Sequence, residues 1–96
     1  MKISEVQIIP IKPQNGLVAF ASFVIDEAIY CSSVGIMTRP NGEYRLLYPT
    51  KKISGRDISI YYPISKDVGQ IIHEAVITKY EDVMKVENDR YGSFET

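Results

Sequence analysis

Apolar and polar residues alternate along the first two thirds of the chain and recur at three- and four-residue steps along the last third. The first pattern has the period of a half-buried strand and the second that of an amphipathic helix. Leu17 to Ile25 is the clearest strand. Ala19, Ala21, Phe23 and Ile25 fall on one face, and Val18, Phe20, Ser22 and Val24 on the other. Both faces are largely apolar, which predicts a central strand covered on both sides. Lys2 to Ile11 predicts a first strand. Pro10 and Pro13 either end it or place it at a sheet edge, because proline cannot donate to a ladder.

Asn15-Gly16 and Asp26-Glu27 read as turns. Between the second of these and Met37, Ala28 onward forms a third strand, in which Gly35 marks a bulge or a close backbone approach. After the turn Pro40-Asn41-Gly42, Glu43 to Tyr48 alternates as a fourth strand. Tyr48 to Asp57 reads as a loop, and Ile58 to Tyr62 as a short fifth strand ended by Pro63.

Ser65 then offers an N-cap hydroxyl and Asp67 a carboxylate at the positive end of a helix. Val68, Ile71, Ile72, Ala75, Val76, Tyr80, Val83 and Met84 make one apolar stripe over about five turns. The predicted architecture is α+β: an antiparallel sheet of four to five strands followed by one long C-terminal helix. Residues 1–86 form a single domain, and 87–96 a polar, frayed tail. The stripe is long for so small a sheet, so part of it is expected to cover a partner's sheet in a homodimer.

Composition narrows the setting. Ninety-six residues, 45% of them hydrophobic and 24% charged, suit one small globular domain. A single cysteine, Cys31, excludes an internal disulfide and fits a reducing compartment. No apolar run approaches the roughly 18 residues of a membrane span, and the first residues lack a signal-peptide pattern. A cytoplasmic location without membrane association is the expectation.

The net charge of -1 conceals an asymmetry. Arg39, Arg45, Lys51, Lys52, Arg56 and Lys66 face only Glu43 and Asp57 within the middle third, whereas the last third is acidic. Such a split suggests that the middle of the chain meets an anion, the alternative being that the oppositely charged thirds pair in the fold. Lys51, Lys52 and Arg56, in the stretch Tyr48 to Asp57, are the densest basic cluster and the first candidates for phosphate contacts. Arg39, Arg45 and Lys66 stand at its margin. Solvated surface charge is the competing reading of all six.

Other chemistry has little to build on. One cysteine and one histidine, about forty residues apart, make neither a metal site nor a supported nucleophilic pair. Cys31 reads as a small core residue and His73 as a solvated residue on the polar flank of the helix. The glycines form no phosphate-cradling motif. Neither catalysis, a metal nor a cofactor is expected. Tyr44, Tyr48, Tyr61 and Tyr62 surround the basic cluster, where aromatics can stack on single-stranded bases; packing in or on the sheet is the preferred reading.

Taken in order, Gly42, Pro49-Thr50-Lys51-Lys52, Gly55, Asp57-Ile58, Pro63 and a helix to Tyr80 resemble the pattern of the SpoVG family, the stage V sporulation protein G or septation regulators. The resemblance spans roughly Met1 to Val83. It implies a homodimer of an antiparallel sheet plus a C-terminal helix. It also implies site-preferring binding to DNA, and to RNA in some members, with an influence on gene expression and on the division septum. Lys51-Lys52 matches the family's basic pair. Two places depart from that pattern. Gly69 and Ile71 stand where the family usually has an arginine and a lysine in the first helical turn, and Ser32-Ser33-Val34 replaces a His-Asp-Ile stretch. Both departures lower the polar or positive potential. The expectation is therefore a dimeric nucleic-acid-binding regulator, the alternative being a dimeric protein-interaction adaptor with weakened nucleic-acid affinity.

Overall fold

The computed structural model describes residues 1–92, with side chains through Lys85. Four strands form one antiparallel sheet in the order β1 (Ile3–Gln14), β2 (Leu17–Ile25), β3 (Ile29–Thr38), β4 (Tyr44–Leu47). A separate two-stranded sheet, β5 (Thr50–Ile53) and β6 (Arg56–Ser59), follows, and then the helix α1 (Lys66–Gly92). The α+β class and the C-terminal helix are as the sequence predicts. The backbone of the stretch expected to be a tail is helical as far as Gly92; 93–96 lie outside the described residues.

The alternation of β2 fixes which side of the sheet is core. Ala19, Ala21 and Phe23 are fully or nearly fully buried beneath α1, together with Cys31, Val34 and Ile36 of β3. The helix contributes Ile72, Val76, Ile77 and Tyr80 to the same cluster. Tyr80 meets Tyr44 edge-on at 5.3 Å, which ties the helix to the edge strand β4. Ser65 caps the helix as its position predicts, its Oγ accepting from the Val68 N–H at 3.3 Å.

Three details differ from the sequence-based picture. First, Ile71 is 41% exposed and Ile77 is buried, so the buried stripe is turned slightly from the expected one. Ile71, Ile72, Ala75, Val76 and Ile77 are too crowded with apolar residues for periodicity alone to choose the inner face. Second, the bulge in β3 falls at Ser32-Ser33, not at Gly35. Ala21 pairs with Val34 and Phe23 with Cys31, which leaves one residue extra, and Ser33 takes a φ of 63°. Gly35 instead allows a close approach, since a Cβ there would lie 2.9 Å from Leu17 Cδ1. Third, β2 is central but covered on one face only; Phe20 is 37% exposed on the other.

Pro10 sits on β1, an edge strand of the sheet, where a residue without an N–H is tolerated. Among the described residues no helix is long and apolar enough to cross a membrane.

Candidate nucleic-acid interface

The stretch expected to be a basic loop is a β-hairpin. Thr50 pairs with Ser59, Lys51 with Ile58, Lys52 with Asp57 and Ile53 with Arg56. Ser54 and Gly55 make the two-residue turn, with φ of 50° and 78°. Two successive positive φ values are what a turn matching the twist of a hairpin requires, and glycine takes the second without steric cost. The fifth strand accordingly begins at Arg56 and ends at Ser59, so only Ile58 and Ser59 of the expected Ile58 to Tyr62 belong to it.

Every residue of Thr50 to Ser59 is exposed, so the hairpin stands off the body as an arm. Its base is fastened at three points. The Ile60 N–H donates to the Pro49 carbonyl at 3.0 Å. Tyr48 and Tyr61 pack edge-to-face at 5.9 Å. The Tyr61 hydroxyl donates to the Ser32 carbonyl at 2.6 Å, beside the β3 bulge. Tyr61→Phe is expected to cost about 1 kcal/mol, the net value of one such bond. Urea denaturation of the two proteins checks it, and an unchanged midpoint would mean that the bond does not tie the arm to the sheet.

Burial pushes the hydroxyls of Tyr48 and Tyr61 up to about 12, with a smaller contribution from nearby Cys31. Burial also raises the Cys31 thiol, and raises Tyr80 with help from Tyr44. These three tyrosines and Tyr44 are packing residues; Tyr62, at 58% exposed, is the one near the arm whose ring is largely open.

Side chains directly opposite each other in an antiparallel pair share a face, and successive residues alternate. Lys51 and Arg56 therefore lie on one face of the arm with Ile53 and Ile58, whereas Lys52 lies on the other, opposite Asp57. The three bases are exposed and form no ion pair: among the described residues the ion pair found is Lys2 with Glu27 at 2.8 Å, on the surface elsewhere. The alternative reading, pairing between the basic and acidic thirds, finds no ion pair among the described residues.

The marginal bases gather apart from the arm. Arg39 and Arg45 line a groove between β4 and the start of α1 together with His73, and Lys66 borders the adjoining hollow, also with His73. Gly69 lies in both. His73 is half-buried there, not the freely solvated residue expected on the polar flank. Thirty-four positions separate Arg39 from His73, and only the packing of the edge strand against the helix brings them together. No sequence signal short of that packing could have found the groove. Among the described residues no three His, Cys, Asp or Glu side chains converge as metal ligands would.

An exposed basic hairpin beside a four-stranded sheet covered by one C-terminal helix makes this a small α+β domain. The model of the SpoVG family matches residues 1–82, and the chain belongs to that family. Among its relatives, a protein of Phytoplasma australiense named "Putative septation protein SpoVG" is 27% identical over 84 residues, 88% of each chain. Relatives of the same name from Macrococcus caseolyticus and Staphylococcus aureus are 30% and 24% identical. The first covers 91% of this chain and 76% of its own; the second covers 99% and 95%.

Proposed function

We propose that this chain is a dimeric regulator that binds nucleic acid through the β5–β6 arm, with Lys51, Lys52 and Arg56 on phosphates and with Arg39, Arg45 and Lys66 in reserve at the helix groove. The observation that carries this reading is the arm itself: three exposed bases against one acid on a hairpin that takes no part in the core. A two-stranded ribbon is also a shape that the DNA major groove admits. No catalytic step, metal or cofactor enters the reading, and DNA is the first ligand to test, with RNA second.

Phosphate contacts release condensed counterions, so log affinity falls linearly with log salt, by about 0.9 per duplex phosphate neutralised. Three contacts on each of two arms give a slope of about -5. Lys51→Ala combined with Lys52→Ala is expected to flatten it to about -2. Of the single variants, Lys51→Ala has the larger effect, because Asp57 opposite Lys52 already offsets part of that charge. Fluorescence-anisotropy titrations against duplex DNA and single-stranded RNA, at several salt concentrations, measure this. An unchanged slope in a folded double variant moves the site to the groove of Arg39, Arg45 and Lys66. The open apolar face of the sheet favours a second reading, a protein-interaction adaptor, for which the same titrations show no salt-dependent binding.

A further inference from the structure

Strand β4 is an edge of its sheet, so one side of its backbone has no neighbouring strand. The Arg39 N–H donates to the Glu43 carbonyl at 2.8 Å, whereas the Thr38 N–H turns the other way, to the Gly16 carbonyl at 2.8 Å. Hydrogen-bonded and non-bonded pairs alternate along an antiparallel ladder. Thr38 with Tyr44 and Ile36 with Leu46 are therefore the non-bonded pairs between β3 and β4. Tyr44 and Leu46 accordingly direct their N–H and C=O groups away from β3. Among the described residues no backbone group bonds to them from that side. The groove that holds Arg39 and Arg45, about 320 Å³ in volume, follows this edge, with Pro63, Gly69 and His73 as its other wall. The hollow bordered by Lys66, about 630 Å³, adjoins it and shares Tyr44, Gly69 and His73 with it.

We infer that this groove takes an extended acidic segment of a partner protein, which pairs with β4 as an added strand. The inference goes beyond the function proposed above and does not depend on the arm binding nucleic acid. Three observations select the occupant. The first is the edge, which offers N–H donors and C=O acceptors at strand spacing, and an extended peptide answers both kinds. Phosphates accept from N–H groups but bring no donor for the carbonyls. The second is charge. Arg39, Arg45 and Lys66 border the groove and its hollow against one carboxylate, Glu43, and none of the three is in an ion pair among the described residues. Acidic side chains complement them.

The third observation is Gly69, on the helix wall. It does not take a positive φ, and a Cβ there would meet only Pro63, at an ordinary 3.5 Å. Neither backbone conformation nor crowding requires glycine at this place, although in a helix glycine costs about 1 kcal/mol relative to alanine. What its bare backbone leaves is room in the groove, across from Leu46 and Tyr48. The four residues of β4 guide roughly 13 Å of added chain at about 3.3 Å each. Alternate side chains of that chain fall on the helix side of the sheet, where Leu46, Tyr48 and Pro63 suit a β-branched apolar residue. Charge on a short edge strand ordinarily protects it from unwanted pairing. Here the charge is largely of one sign, so it rejects basic strands and admits acidic ones.

Fluorescence anisotropy with a labelled short peptide of alternating glutamate and valine tests the inference on the full chain. The peptide is expected to saturate the protein below about 1 mM. The same peptide with lysine in place of glutamate should bind about 10-fold more weakly or worse. Two further peptides carry N-methyl groups, one at the valines and one at the glutamates. Successive residues of a strand turn their N–H groups to opposite edges, so only one of the two loses the donors that face β4. That one should bind about 10-fold more weakly, and the other as well as the parent. Gly69→Leu should weaken binding by about 10-fold or more with the circular dichroism of the fold retained, because leucine favours the helix. Arg39→Glu combined with Arg45→Glu should do the same, both being exposed. On binding, hydrogen exchange at the Tyr44 and Leu46 amides should slow by about 10-fold or more.

Equal binding of the two N-methylated peptides, or unchanged exchange at Tyr44 and Leu46, would reduce the attraction to charge alone and overturn the added strand. No saturation at about 1 mM overturns it outright. These readings need no variant, so an unfolded variant leaves the test standing. In protein carrying Lys51→Ala and Lys52→Ala, duplex DNA that displaces the peptide would give the groove to phosphates, and the inference would be wrong. A protein that binds the peptide at this edge but no nucleic acid keeps the inference and loses the function proposed above.

Discussion

Phe23→Ala is expected to lower the free energy of unfolding by about 3–5 kcal/mol. Phe23 is the largest side chain with no exposed surface, on the inner strand β2. Its ring fills the space between β2, the helix residues Val68 and Ile72, and the tyrosines Tyr48 and Tyr61, where a cavity of about 100 Å³ already remains. Removing the ring would enlarge that cavity, and the surrounding backbone, held in a ladder on both sides, cannot close over it. Small domains are stable by only about 5–15 kcal/mol, so the variant would be partly unfolded at the low end of that range.

Urea denaturation at a fixed protein concentration measures the effect, with concentration held because dimerisation adds to stability. The midpoint should fall by about 3 M or more if the slope is about 1 kcal/mol/M and unchanged. Because Tyr48 and Tyr61 border the same cavity, the variant should also loosen the arm and weaken nucleic-acid binding beyond what its loss of fold explains. A decrease of less than about 1 kcal/mol would mean that the helix does not lie over this face of the sheet.

Much of this arrangement is written plainly in the chain. The alternation of β2, the turn residues Asn15-Gly16 and Pro40-Asn41-Gly42, the cap at Ser65 and the helical stripe each follow from a local rule, and they agree with one another. The arm was harder to see. Ser54-Gly55 between Ile53 and Ile58 is a hairpin signal, but lysines and aspartate are poor strand formers, and the charge density around the turn reads first as a loop. What makes the strands there is cross-strand pairing together with the anchors at Pro49 and Tyr61, neither of which is a property of the residues in isolation.

The bulge at Ser33 and the positive φ at Glu5 lay equally out of reach, since ordinary polar residues hold both. The groove of Arg39, Arg45, Lys66 and His73 depends on where an edge strand meets a helix. Of the candidate site, then, the identity of the basic residues was legible. Their division was not: Lys51 and Arg56 on one face, Lys52 on the other, and the remaining three in a separate groove.

The same tyrosines that anchor the arm should make the protein sensitive to alkali. Tyr48 and Tyr61 have hydroxyls held up at about 12, chiefly because burial disfavours the phenolate. In the unfolded chain both titrate near 10. Between those values the unfolded state has lost protons that the folded state still binds, so the stability falls as pH rises; below about 10 both states keep the protons and the contribution is intact. Tyr61 adds a specific reason, because a phenolate cannot donate to the Ser32 carbonyl and would leave two oxygens facing each other at 2.6 Å. The partial exposure of both rings keeps the effect below what full burial would give.

Absorbance at 295 nm should therefore show a late tyrosine step approaching 12, contributed by Tyr48 and Tyr61. The late step should coincide with loss of near-ultraviolet circular dichroism and of nucleic-acid binding, since the arm is released as its base ionises. Tyr61→Phe should shrink the late step by one tyrosine and make the remaining transition shallower. Absence of that late step with the fold retained would show that neither ring is shielded. The arm would then be held by the Ile60 to Pro49 hydrogen bond and the covalent chain alone, too little to fix the direction in which Lys51, Lys52 and Arg56 are presented.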